Sequence, residues 1–147
     1  MRIDFSTFVA RAPEHEVVGI NVAEAADLVT MYRNYGYFRQ DLISGQCFYS
    51  EQACAIYGVP FTGEAANIPL LISKTHPDDV ELVARTFETA SRSRCGFHLI
   101  HRYIREDGGY KHLRLVVKIR ESRVEGGEFI GAVYEFYDYL RLVAVEK

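Results

Sequence analysis

The sequence predicts an α+β fold in which five short strands form one sheet, with helices on one face and a further helix flanking the sheet at the N-terminus. The first observation is an amphipathic helix that begins at Pro77 and lies between strand-like segments. The second is a pair of glycine-containing turns, Asp107–Gly109 and Glu125–Gly127, which join such segments into hairpins. The third is the alternation of apolar and polar residues in these segments, which is typical of strands with one buried face.

The helix that begins at Pro77 carries its own start signal. Proline suits the first position of a helix, and Asp78 and Asp79 lie where the helix dipole favours negative charge. His76 precedes the proline, so we interpret it as a capping residue rather than a catalytic one. Apolar side chains then recur at spacings of three and four, and they predict one buried stripe formed by Val80, Val83, Ala84, Phe87 and Ala90.

The N-terminal part of the chain predicts a flanking helix and a contact with another subunit. The apolar residues among residues 1–20 show no clear periodicity, and this segment is expected to form a loose or short-helical arm. Asn21 and Glu24 have the spacing of a capping box, which predicts a helix over residues 21–35. This helix has two apolar strips, and the second needs a partner surface. We therefore predict a homodimer contact between the flanking helix and the last strand, formed by Val22, Val29, Tyr32, Phe129, Val133 and Tyr137.

The five predicted strands cover residues 36–42, 46–49, 97–105, 110–121 and 129–137. Ser50 caps a short helix that ends at Gly58, whereas residues 61–74 are expected to form a loop with short helical turns. The fourth strand alternates between apolar and charged residues, so one of its faces is expected in solvent. The last strand is apolar on both faces, which predicts a central position in the sheet. Residues 36–140 are thus expected to form the domain, and residues 141–147 a C-terminal tail.

Composition and charge argue against several classes of function. The 147 residues are 48% hydrophobic and 25% charged, which fits one globular domain. The net charge of -3 and the scattered basic residues predict no contact with nucleic acid, and no apolar run reaches the length of a membrane span. There is no signal-peptide pattern, so we expect a cytoplasmic protein. The three cysteines predict reduced thiols and no metal site; they are Cys47, Cys54 and Cys95.

Four short motifs follow one another along the chain. They are Phe38, Asp41 and Ser44-Gly45 in the first strand and its turn, Ile56-Tyr57-Gly58 at the end of the short helix, His76-Pro77-Asp78-Asp79 at the start of the long helix, and Arg102 before the turn at Asp107-Gly108. In this order and spacing they resemble the PAS domain, the sensory module of bacterial kinases and regulators, from Gly36 to about Tyr137. The resemblance implies an antiparallel five-stranded sheet in the order 2-1-5-4-3 with helices on one face.

The chain also departs from the family pattern. Family members commonly carry tryptophan at the positions of Gln40 and His112, whereas this chain has no tryptophan. The Asp-Ile-Thr junction that ends the domain in kinase-linked members is missing, and residues 135–137 are Glu-Phe-Tyr. If the chain ends at Lys147, no effector segment follows, and we expect the output to be a contact with a protein signalling partner.

Haem and flavin are cofactors of other family members, and the sequence argues against both. Haem-binding members generally use a histidine on the long helix, which here has none. His98, His101 and His112 lie on strands instead, and the first two have opposite parity. Flavin-binding light sensors carry an Asn-Cys-Arg-Phe segment, whereas Cys54 lies in Glu-Gln-Ala-Cys-Ala. We therefore expect neither haem nor flavin, name no other cofactor, and predict no bound metal.

Gln40 is the residue that points to a pocket. It shares the parity of Phe38 and Leu42, so its amide is expected on the inward face, where the family usually places an indole. The smaller side chain leaves space, and a buried amide needs a hydrogen-bond partner. One outcome is a filled core with Gln40 bonded to the backbone. The other is a small ligand cavity lined by Gln40, Tyr57, Phe61, Phe87, Tyr103 and Leu115.

Together these observations predict a sensory or regulatory module with no catalytic residues, which acts through a homodimer or partner contact whose geometry a small ligand biases. Three alternatives stay open. The first is a small, cone-shaped α+β enzyme of the isomerase or hydratase type with an Asp/His pair in its pocket. The others are a haem-binding gas or redox sensor and a scaffold without a ligand.

Overall fold

The computed structural model describes residues 13–121 and 123–136. These residues fall into two compact units, which meet between Arg33 and Asn34 in the sequence. The boundaries predicted at residues 20, 35 and 140 are not tested by this division. The two units are described separately below.

The first unit contains two helices, α1 over Glu14–Val17 and α2 over Val22–Thr30. The predicted capping box is present at the start of α2. The Asn21 side chain accepts a hydrogen bond from the Glu24 backbone at 2.8 Å, and the Glu24 carboxylate accepts one from the Asn21 backbone at 3.0 Å. The helix ends earlier than predicted, because the backbone leaves helical geometry at Met31 and has a left-handed φ of 61° at Tyr32.

The second unit contains one antiparallel sheet. Its strands are β1 over Tyr35–Asp41, β2 over Cys47–Tyr49, β3 over Phe97–Ile104, β4 over Tyr110–Arg120 and β5 over Glu128–Glu135. The order is β2-β1-β5-β4-β3, as the family resemblance implied. β5 is central, as its two apolar faces predicted: Val133 lies opposite Gly36 on one side and Leu115 on the other. The strand ends before Tyr137, which lies outside the described residues.

Three helices connect β2 to β3, namely α3 over Glu51–Tyr57, α4 over Ile68–Lys74 and α5 over Pro77–Ser93. Ser50 caps α3 by accepting a hydrogen bond from the Ala53 backbone, and Gly58 ends the helix with a φ of 63°. Both ends match the prediction.

Helix α4 corrects the prediction of a loop with short turns over residues 61–74. The Asn67 side chain caps the helix by accepting a hydrogen bond from the Leu70 backbone at 3.1 Å. Pro69 lies in the first turn of α4, where backbone N–H groups have no hydrogen-bond acceptor within the helix. The N–H that proline lacks is therefore not needed there, and Pro69 does not break the helix.

The start of α5 is tied to β3 by the His-Pro-Asp-Asp motif. His76 caps the helix, because its Nδ1 accepts a hydrogen bond from the Asp78 backbone at 3.1 Å. The Asp79 carboxylate accepts three hydrogen bonds from Arg102, one from the backbone N–H at 2.8 Å and two from the guanidinium at 2.9 and 2.7 Å. His76 is therefore a capping residue, as predicted.

The core lies between the helices and the inward face of the sheet. The odd-numbered residues of the last three strands point inward; among the buried ones are Leu99, Tyr103, Leu113, Leu115, Phe129 and Val133. This corrects two predicted dimer contacts, because Phe129 and Val133 are only 1% and 0% exposed. β5 is apolar on both faces, so the sequence alone did not show which face would pack against the helices.

Candidate functional site

A cavity of about 230 Å³ lies between the inward face of the sheet and the helices. Its walls consist of Phe38 and Gln40 of β1, Cys47 and Tyr49 of β2, Tyr57 of α3, Ile68, Leu71 and Ile72 of α4, Thr75 after α4, Val80, Val83, Ala84 and Phe87 of α5, His101 and Tyr103 of β3, and Leu115 of β4. Most of these side chains are apolar, and the polar ones are few, which is typical of small-molecule sites.

The structure brings together five of the six residues predicted to line a pocket: Gln40, Tyr57, Phe87, Tyr103 and Leu115. Phe61 is the exception, because its side chain is 51% exposed and does not line the cavity. It lies in the segment between α3 and α4, and the wall is formed instead by Ile68, Leu71 and Ile72 of α4. These three residues were missed because residues 61–74 were expected to form a loop with short helical turns, which gives no apolar face.

Gln40 has both a backbone partner and a void beside it. Its side-chain Nε2 donates a hydrogen bond to the Gly45 carbonyl at 3.3 Å. Its side-chain oxygen accepts no hydrogen bond from any described residue. The structure therefore combines the backbone bond of one expected outcome with the cavity of the other, and the core beside Gln40 is not filled.

Aromatic rings form one side of the cavity. Tyr57 meets Tyr49 and Tyr103 edge to face, with ring centroids 5.3 and 5.1 Å apart, and Tyr49 stacks on Phe38 at 5.5 Å. The Tyr103 hydroxyl donates a hydrogen bond to the Tyr57 carbonyl at 3.0 Å. Burial raises the pKa of Tyr49, Tyr57 and Tyr103, so all three phenols are neutral at physiological pH.

His101 contributes an imidazole to the wall of the cavity. It is 4% exposed, and its Nδ1 has no hydrogen-bond partner among the described residues. Burial lowers the pKa of His101, so the ring is neutral at physiological pH. From the sequence, His101 was a candidate only for haem ligation. Its shared parity with Leu99 and Tyr103 would have placed it on the inward face, whereas His98 and His112 are exposed.

Cys47 and Tyr49 were also missed by the sequence-based pocket, because β2 has only three residues and gives no periodic pattern. The register places Cys47 opposite Gln40 and Tyr49 opposite Phe38. Burial raises the pKa of the Cys47 thiol to about 11, so it is not poised as a nucleophile. All three cysteines are free, and the described residues include no group of side chains suited to hold a metal ion.

The predicted contact residues in α2 and just after it are accessible. Val22, Val29 and Tyr32 are 70%, 68% and 57% exposed. Leu28 on the same helix is exposed as well, so the first unit presents several large apolar side chains. Within the described residues, no helix has the length and apolar composition that a membrane span requires.

Solved structures share this fold at low sequence identity. The N-terminal domain of a diguanylate cyclase with a PAS/PAC sensor from Marinobacter aquaeolei is 20% identical with a TM-score of 0.58, over 69% of this chain and 94% of that one. A sensory box histidine kinase/response regulator from Burkholderia thailandensis is 16% identical with a TM-score of 0.59, over 77% and 85% of the two chains. The PAS domain of a protein from Colwellia psychrerythraea is 11% identical with a TM-score of 0.54, over 79% and 98%.

These likenesses are of fold alone, because all three identities are low. No protein-family model matches the sequence, and no curated protein matches it.

Proposed function

From the premise that this chain has the PAS fold, we propose that it is a sensory signalling module without catalysis of its own. It acts through a homodimer or partner contact, and a small molecule in the cavity biases the geometry of that contact. The observation that carries the proposal is the cavity, which is lined by residues of β1, α5 and β3 at once. A molecule that touches all three elements binds one arrangement of them better than another and so shifts their equilibrium.

The output surface is proposed on α2. Helix α2 exposes Val22, Leu28 and Val29, and Tyr32 just after the helix is exposed as well, so this segment has an apolar surface that a second copy of the chain would bury. Phe129 and Val133 are no longer part of this proposal, because they belong to the core. The protein signalling partner that receives the output is expected to bind the same kind of apolar surface.

The neighbourhood of Asp79 and His101 does not favour an enzyme of the isomerase or hydratase type. Hydrogen bonds from Arg102 hold the pKa of Asp79 at about 2, so the carboxylate is a weak base. Its oxygens are occupied by Arg102, and burial lowers the pKa of His101 and outweighs the effect of Asp79, which acts to raise it. A catalytic dyad would need the opposite arrangement.

The contact on α2 is tested by replacing Val29 and Tyr32 together with glutamate. We expect the dimer to become a soluble monomer, because two charges would have to be buried in an apolar contact. Sedimentation velocity on the full chain measures the change.

The matched control adds the same two charges elsewhere, at Ala65 and Ser93, which are exposed and lie outside α2. Ala65→Glu with Ser93→Glu should leave the sedimentation coefficient of the dimer unchanged. A Val29→Glu, Tyr32→Glu variant that sediments like the unmodified chain would show that α2 forms no such contact.

A further inference from the structure

The walls of the cavity restrict the class of molecule that it takes, and this inference rests on the proposed function. We propose that the cavity binds an uncharged, planar molecule the size of a substituted aromatic ring, with a group that both donates and accepts hydrogen bonds. Charge, hydrogen bonding and size each support one part of this description.

The charge of the ligand follows from the walls. Among the described residues that line the cavity there is no lysine, arginine, aspartate or glutamate. The phenols and the imidazole at the walls are neutral at physiological pH, as shown above. The charge of Asp79 acts on His101, but Asp79 is paired with Arg102 at 2.7 Å. A charged ligand would therefore lose its hydration without gaining a counter-ion, which is strongly unfavourable.

One hydrogen-bonding atom on the wall residues is buried without a partner in the described structure, the Nδ1 of His101. The side chains of Gln40 and Tyr57 also line the cavity, and they carry an amide oxygen and a hydroxyl. Buried polar groups are nearly always hydrogen-bonded, and leaving one unpaired is costly. A neutral imidazole has one donor and one acceptor, and the Gln40 oxygen only accepts. A ligand with a hydroxyl, amide or azole N–H group would supply both kinds of bond.

The size and shape of the ligand follow from the volume and the rings. An apolar protein cavity of about 150 Å³ holds benzene, whereas sites for drug-sized ligands begin near 300 Å³. The cavity of about 230 Å³ lies between these values and suits one ring with a polar substituent. The edge-to-face packing of Tyr57 with Tyr49 and Tyr103 provides surfaces on which a flat ring packs well.

Three fluorinated probes test the proposal by fluorine NMR titration of the full chain at pH 7. They are 4-fluorophenol, which is neutral and hydrogen-bonding, fluorobenzene, which is neutral and apolar, and 4-fluorobenzoate, which is charged. We expect 4-fluorophenol to bind saturably and about tenfold more tightly than fluorobenzene, a factor that one net hydrogen bond supplies. We expect no saturable binding of 4-fluorobenzoate.

A pair of histidine variants tests the named contact. His101→Leu should abolish the preference for 4-fluorophenol over fluorobenzene. His98→Leu makes the same change on the same strand at an exposed position, and it should keep the preference. Urea unfolding of His101→Leu without probe should show the same cooperative transition as the unmodified chain, because leucine removes a buried Nδ1 that has no partner and keeps an apolar side chain in the wall. A loss of preference in His101→Leu then reports on the contact and not on the fold.

A second variant fills the cavity without replacing a buried side chain. Ala84 lines the cavity and is exposed at its edge, so Ala84→Phe should weaken the binding of all neutral probes. Binding of 4-fluorobenzoate as tight as that of 4-fluorophenol would overturn the proposal. So would equal binding of 4-fluorophenol and fluorobenzene, or no saturable binding of any probe, which would mean that water alone fills the cavity.

Sedimentation separates this inference from the proposed function. If 4-fluorobenzoate binds in the cavity and shifts self-association, the ligand class is wrong while the proposed function stands. If 4-fluorophenol binds as expected but neither it nor Val29→Glu with Tyr32→Glu changes the sedimentation coefficient, the ligand class stands and the proposed function fails.

Discussion

Gly36 has no side chain, and this allows β1 and α3 to lie close together. A Cβ atom placed there would lie 2.3 Å from the Ala53 backbone nitrogen and 2.5 Å from its Cα, closer than real Cβ contacts. The glycine is therefore needed because a helix backbone passes directly over the strand, and not because of an unusual backbone angle. This contact positions Tyr57, at the end of the same helix, against the cavity.

Gly36→Ala is expected to destabilise the protein by about 2 kcal/mol or more, because α3 must move away from β1. Gly109→Ala is the control: a Cβ there would meet only a side-chain oxygen of Asp107 at 3.2 Å and no backbone atom, so a shift of a few tenths of an ångström accommodates it. Urea unfolding followed by circular dichroism measures both. Equal stabilities of the two variants would show that α3 yields to the extra methyl group without cost.

Individual positions in the candidate site differed in how far the sequence could predict them. Gln40 was placed on the inward face by its parity with Phe38, and the structure confirms that parity. Its hydrogen bond to Gly45 depends on the turn after β1, which a strand pattern does not describe. The sequence could not predict that the Nδ1 of His101 has no hydrogen-bond partner, because this depends on which side chains every neighbouring element places around it.

Helix α5 shows what an amphipathic pattern predicts and what it omits. The start at Pro77, the cap at His76 and the burial of Ala90 were all expected and are all observed. The stripe itself is less buried than expected: Phe87 is partly exposed and Ala84 exposed, since both line the cavity. Periodicity shows which face of a helix turns toward the domain. It does not show whether the sheet on the other side of the core is in contact with that face.

Phe87 therefore contributes less stability than a fully buried ring. It packs edge to face against Phe97 and Phe129, with ring centroids 4.8 and 5.9 Å apart, while its remaining surface borders the cavity. Phe87→Ala should cost about 2 kcal/mol, below the ~3–5 kcal/mol of a buried phenylalanine. Arg85→Ala, at an exposed position of the same helix, should change the free energy of unfolding by less than about 0.5 kcal/mol. A loss of 4 kcal/mol or more in Phe87→Ala, by urea unfolding, would mean that no cavity borders this ring.

At the scale of the whole molecule, local sequence patterns predicted the individual helices and strands, and the family resemblance predicted the order of the strands in the sheet. The hairpins around Gly108 and Gly126 follow from turn residues alone. The pairing of β1 with β5 joins residues far apart in sequence, and only the apolar character of β5 on both faces hinted at it. That same character made Phe129 and Val133 look available for a dimer, because the sequence does not distinguish two apolar faces of one strand.

Two carboxylates stabilise opposite ends of β4, and they make the stability of the whole molecule sensitive to acid. Asp79 is paired with Arg102 near the first residues of the strand, and Glu128 accepts hydrogen bonds from Arg120 and Arg123 near its last residues. Hydrogen bonds from Arg102 hold the pKa of Asp79 at about 2. Burial opposes ionisation of Glu128, but the two arginines outweigh it, and its pKa is also lowered.

A carboxylate whose pKa is lower in the folded than in the unfolded state stabilises the fold fully above its unfolded pKa, near 4, and loses this contribution as the pH falls through the folded pKa. We therefore expect the free energy of unfolding to decrease between about pH 4 and pH 2, by on the order of 1 kcal/mol for Asp79 once solvent screening around the partly exposed Arg102 is included. Urea unfolding at a series of pH values measures this. Asp79→Asn with Glu128→Gln should be less stable at pH 7 and should lose less stability over the same interval. Parallel profiles for the double variant and the unmodified chain would mean that neither carboxylate is ionised more readily in the folded state than in the unfolded one.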